Sequence, residues 1–97
     1  MAFMRVVRGR WADPNTGGSE AVRAVAQELY AAVRALPGNQ SYIGGFDASS
    51  GISIAVTVWD TAEHSQGIDS LTALSEKLAA LGLTVESSDL AEIRTPT

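Results

Sequence analysis

Between Ile52 and Trp59 the chain alternates branched apolar residues with small or polar ones, the two-residue period of a β-strand. Ile52, Ile54, Val56 and Val58 share one face, and Ser53, Ala55, Thr57 and Trp59 share the other. The first face is the better partner for apolar helix stripes. The second is too mild for a dry core and too apolar for open surface, so it reads as the wall of a ligand cavity. Trp59 is then expected to point into that cavity or between two packed sheets. Phe3 to Trp11 reads as an earlier strand, with Met4 and Val6 on one face, Phe3 and Val7 on the other, and Arg5, Arg8 and Arg10 interspersed.

The helical pattern is equally clear. Ala12 to Gly18 has the turn chemistry of a loop. Ser19 is placed as an N-cap, and Glu20 suits the positive end of the helix dipole. Val22, Val25, Ala26, Leu29, Tyr30, Val33 and Leu36 then recur at helical spacing until Pro37-Gly38 stops the run. Gln40 to Asp47 reads as a strand weakened by Gly44-Gly45, a pair that suggests a bulge or a close backbone approach. Ala48 to Gly51 turns it back onto the Ile52–Trp59 strand. Asp60 and Glu63 have capping-box spacing, which predicts a short helix from Thr61 to about Gly67. Asp69 or Ser70 would cap another, with Leu71, Leu74, Leu78 and Leu81 on one stripe and Gly82 ending it. Leu83 to Glu86 and Leu90 to Arg94 read as a last strand interrupted at Ser87-Ser88-Asp89.

The order β-α-β-β-α-β is that of a ferredoxin-like α+β fold, an antiparallel sheet with helices on one face. Its other face must meet water, a ligand or a partner. Alternating strands with apolar residues on both faces favour a partner. Residues 1–97 read as a single domain.

Composition narrows the function classes. A net charge of −4 argues against nucleic acid or an anionic membrane as the main partner. No run of about 18 apolar residues is present, so no spanning helix is expected, and Met1 to Trp11 lacks the apolar core of a signal peptide. A cytoplasmic protein is the default. The absence of cysteine removes disulfides and thiolate chemistry, and with a single histidine no tight metal site is expected. GxSxG and HExxH are also missing, which excludes the usual serine-triad and zinc-protease signatures.

At Leu36-Pro37-Gly38, the Gly51–Trp59 strand and the turn Trp59-Asp60-Thr61-Ala62-Glu63, the sequence resembles the antibiotic-biosynthesis-monooxygenase-like family. The family's succession is a helix ending in Leu-Pro-Gly, a hairpin, a strand ending in Trp and an acidic short helix. Leu83 to Ser88 suits its last strand. The resemblance implies a homodimeric α/β barrel with two sheets face to face and a small-molecule pocket in each protomer between sheet and helices. It implies an oxygenase acting on a small aromatic or polyketide-like molecule with O2 and without metal or flavin. The deprotonated substrate is then its own reductant. Such a site needs a dry pocket and hydrogen bonds to a developing oxyanion. Where quinone-forming members carry Asn four residues before the Trp, this chain has Ala55, which cannot donate such a bond. Haem-degrading relatives carry an Asn on the first strand, which is missing here. The competing reading is therefore a non-catalytic barrel that binds a small ligand or serves assembly.

The candidate site residues follow from these readings. Trp59, with Ala55 and Thr57 on its face, would shape the pocket. Tyr42 would hydrogen-bond a phenolic substrate, although a strand tyrosine often packs with its hydroxyl at the rim. His64, with a side chain that titrates near neutrality, would be the general base. One N-terminal arginine, Arg8 by preference, would anchor an anionic group. Gly17-Gly18-Ser19 lacks phosphate-loop spacing and reads as a loop and cap.

Overall fold

The computed structural model describes residues 1–94. Four strands, β1 (Phe3–Trp11), β2 (Asn39–Asp47), β3 (Ile52–Trp59) and β4 (Leu83–Glu92), form one antiparallel sheet in the order β2-β3-β1-β4. This is the ferredoxin-like arrangement: β1 and β2 run parallel but are split by β3, and the helices of both crossovers cover one face. The helices are α1 (Pro14–Gly17), α2 (Glu20–Arg34), α3 (Ala62–Ser65) and α4 (Thr72–Ala80), with a 3₁₀ turn at Gln66–Ser70.

Helix α2 starts where Ser19 Oγ accepts from the Val22 N–H at 3.3 Å and buries Val22 and Val33 against the sheet. The other helix starts differ from the sequence reading. The loop after β1 contains α1, because Asp13 caps Asn15 N–H at 2.9 Å and Pro14 occupies a first-turn position that needs no donor. Helix α3 is capped by Thr61, whose Oγ1 accepts from His64 N–H at 3.0 Å. Asp60 is drawn aside: its carboxylate pairs with His64 Nδ1 at 2.7 Å. Neither Asp69 nor Ser70 caps α4. Ser70 Oγ donates back to the Gly67 carbonyl, and Leu71 takes the cap position without a side-chain bond. The leucine stripe is as expected, with Leu71, Leu74, Leu78 and Leu81 all half-buried.

Strand β4 is continuous through Ser87–Asp89, contrary to the expected break. Instead it bulges: Arg8 pairs with Ser87 and Gly9 with Val85, leaving Glu86 as the extra residue. The bulge resets the alternation, so Ser88 faces the helices. Strand β2 also bulges, at Gln40 between the Asn39 and Ser41 pairings, and not at Gly44-Gly45.

The largest correction concerns the sheet faces. Cross-strand pairing puts Arg5 opposite Thr57, Val7 opposite Ala55 and Gly9 opposite Ser53, and it is this face that the helices cover. Trp59 is fully buried there and Thr57 is 1% exposed, whereas Ile54 is 41% and Ile43 66% exposed on the other face. The more apolar face of β3 is thus open in the single chain. Strand pleat and the handedness of the crossovers decide which face the helices cover, and hydrophobicity does not.

Candidate functional site

Small residues at the centre of the covered face leave a hollow. Gly44 on β2 and Ser53 and Ala55 on β3 carry too little side chain to fill the space beneath α2 and α4, while Leu83 packs over Gly9 of β1, where a Cβ would strike it. The result is a cavity of about 900 Å³. Its roof comes from Val22, Ala26 and Leu29 of α2, Ile68 of the 3₁₀ turn, and Thr72, Ser75 and Ala79 of α4. Leu83, Val85 and Ser88 of β4 form a side wall, and the lining is mostly apolar. A pocket between sheet and helices is where the resemblance placed one.

One end of the cavity is aromatic. Trp11 is 4% exposed and donates its indole N–H to Ser53 Oγ at 2.9 Å, which fixes the ring across the strand. Phe46 lies beside it, over Gly17; a Cβ at Gly17 would collide with both rings, so a glycine is required there. Sequence reasoning missed Trp11 and Phe46. The available signal was parity: Trp11 shares a face with Val7 and Gly9, and Phe46 pairs with Ser53.

The predicted site residues separate into two groups. Tyr42 and Ala55 line the cavity. Burial pushes the Tyr42 phenol above its ordinary range, so it stays a neutral donor at physiological pH. Its ring meets Tyr30 edge-on, with centroids 5.6 Å apart. Gly44 and Gly45 also line the hollow.

Trp59, Thr57, His64 and Arg8 are outside the wall. Trp59 and Thr57 are core, joined by an indole N–H to Oγ1 bond of 2.8 Å. His64 is on the exposed side of α3, held by Asp60 against Gly38, where any Cβ would strike both side chains. Its hydrogen bond holds the Asp60 carboxyl below the usual carboxylate range. Arg8 is on the open face, 3.4 Å from Glu86, which also takes Arg10 at 3.2 Å. Both pairs follow from the bulge, which turns Glu86 toward the β1 arginines.

The first-strand arginine on the cavity's face of the sheet is Arg5, which stands behind the lining residue Ser88 and is not itself in the wall. Its guanidinium donates to Ser88 Oγ at 2.9 Å and to the buried Ser65 Oγ at 3.3 Å, while Nε is buried without a partner among the described residues. The carboxylates on the cavity lining are Asp69 and Glu76, both exposed on the helical side. Among the described residues, no three His, Asp or Glu side chains are grouped to hold a metal ion, and no helix is long and apolar enough to cross a membrane.

No protein-family model and no curated protein matches the sequence. Solved structures do match over nearly its whole length. SnoaB of Streptomyces nogalater, a cofactor-independent oxygenase, superposes with a TM-score of 0.73 at 15% identity, covering 98% of this chain and 95% of that one. The ActVA-Orf6 monooxygenase of Streptomyces coelicolor, solved with nanaomycin D, gives 0.68 at 14% identity, covering 99% and 90%. A Chloroflexus aurantiacus protein described as a candidate antibiotic biosynthesis monooxygenase gives 0.68 at 17% identity, covering 100% and 97%. The fold is therefore that of antibiotic-biosynthesis-monooxygenase structures, as the sequence resemblance implied. At these identities the likeness is one of fold.

Proposed function

We propose that this protein is a cofactor-independent monooxygenase, or a closely related enzyme, that takes a small aromatic or polyketide-like molecule into the cavity beneath α2 and α4. The observation that carries the reading is the cavity itself: about 900 Å³, mostly apolar, with Trp11 and Phe46 at one end and Tyr42 in the wall. A flat aromatic molecule fits such a space, and the neutral Tyr42 hydroxyl is suited to donate to a phenolate or enolate oxygen. The fold neighbours supply the reaction class. In that chemistry the ionised substrate gives electrons to O2. For an anthrone, the CH2 group becomes a carbonyl, one oxygen atom enters it, and the other leaves as water with the two hydrogens. The enzyme need only bind the anion, orient it and exclude water.

A second reading is a barrel protein that binds such molecules without turning them over. Two observations favour it: Ala55 stands in the cavity wall where a hydrogen-bond donor would serve an oxyanion, and His64 is outside that wall.

Oxygen uptake with anthrone and with 1-naphthol separates the two. Protein-dependent uptake above the spontaneous rate, lost in a cavity-filling Ala55→Phe variant, supports the enzyme. Saturable binding of the same compounds without uptake leaves the binding reading alone. Absence of both removes both.

A further inference from the structure

We infer that the cavity is specific for an aromatic molecule bearing an ionised oxygen group at one end, and that Arg5 is the residue that holds that group. The inference rests on the ligand-cavity reading above and adds the charge and orientation of the ligand.

Arg5 is on the covered face of the sheet, between β4 and α3. Among the described residues the other β1 arginines have a carboxylate, both taking Glu86, and Arg94 is close to Glu92. Arg5 has none: its two terminal nitrogens reach only the hydroxyls of Ser65 and Ser88, and its Nε is buried without a partner. A half-buried guanidinium whose Nε is out of water and whose terminal nitrogens meet only hydroxyls is incompletely compensated, because a hydroxyl returns much less than a carboxylate. Such a cation binds an entering anion with little extra desolvation.

Position makes that anion a cavity ligand. Ser88 belongs to the cavity wall and to the Arg5 hydrogen-bond set together. Val7, two residues along the same face of β1, is also in the wall. A ligand oxygen that displaced Ser88 Oγ from the guanidinium would be at one end of the hollow. The aromatic body would then run along β1 and over Ala55 toward Trp11 and Phe46. The acidic lining residues, Asp69 and Glu76, are on the helical side and exposed, where they would disfavour an anion in the opposite orientation. Phenolate, carboxylate and sulfonate share the required chemistry.

Two fluorescent probes with one aromatic body test this. 8-Anilino-1-naphthalenesulfonate carries an anionic group that N-phenyl-1-naphthylamine lacks. The wild-type protein is expected to bind the sulfonate roughly ten- to a hundredfold more tightly than the neutral probe. Arg5→Gln should abolish that preference and leave affinity for the neutral probe within about threefold. Ser88→Asp gives a second test that does not depend on losing the cation. A carboxylate beside the guanidinium should raise the unfolding midpoint and still erase the sulfonate preference. An equal preference in wild type and both variants, or no preference in wild type, overturns the assignment of Arg5. If the neutral probe binds, and binding is lost in Ala55→Phe but kept in the open-face Ile43→Lys variant, the ligand cavity stands without it. If neither probe binds, both inferences fall.

Discussion

The indole N–H of Trp59 donates to Thr57 Oγ1 at 2.8 Å, and both side chains are sealed beneath the helices, at 0% and 1% exposure. Residues two apart on a strand share a face, so the Trp body covers the hydroxyl that satisfies its only donor. This pair closes the core next to the cavity, and Trp11 with Ser53 repeats the arrangement inside it.

Trp59→Ala should therefore act on folding. The expected loss is about 3–5 kcal/mol for a buried Trp, read by urea unfolding. Thr57→Val should cost about 1–3 kcal/mol by leaving the indole N–H unpaired in the core. Ligand affinity of the folded fraction should hardly change. A near-neutral Trp59→Ala would restore the expectation that Trp59 faces a ligand.

The open face of the sheet predicts a homodimer. Ile43 and Ile54 are exposed beside the half-buried Met4, Val6, Val56 and Val58, a contiguous apolar patch of the kind that marks an interface. Light scattering at micromolar concentration should give about twice the 10.2 kDa chain mass. Ile43→Asp with Ile54→Lys should give the monomer. A wild-type monomer would remove the barrel.

Three carboxylates predict loss of stability in acid. Asp47 is held below its ordinary range by hydrogen bonds from Ser50 and Ser49, Asp60 by His64, and Glu86 by Arg10 and then Arg8. Folded-state values depressed below the unfolded ones favour the fold above the unfolded values. That contribution is lost as pH falls through the folded values, from about pH 4.5 downward. All three are exposed, so each effect is small. Glu86→Gln should make the midpoint-against-pH curve shallower in that window; an unchanged curve would show that the Arg10 and Arg8 contacts do not bind in solution.

Tyr42 predicts the opposite limb. Burial raises its phenol above the ordinary value, so the neutral form favours the fold below about pH 10 and that contribution is lost as pH rises toward the folded value. Tyr42→Phe should unfold with less alkaline sensitivity above about pH 10. Wild type and variant falling together would place the phenol in water.

The sequence by itself determined the order of the main elements, the parity of β1 and β3 and the stripes of α2 and α4, because these depend on periods of 2 and 3.6 and on nearby stop signals such as Pro37-Gly38. It also brought Tyr42 and Ala55 forward. Tertiary structure decided which face of the sheet the helices cover. That choice exchanged Arg8 for Arg5 as the arginine on the cavity's face, while position along that same face put Trp11 at the cavity and Trp59 in the core. Local pattern can say that Ile54 and Ala55 point opposite ways, but only the crossovers of the chain say which of them meets the helices. The bulge at Glu86 was hidden for a similar reason: it exists in the pairing between β1 and β4, and neither strand carries a mark of it alone.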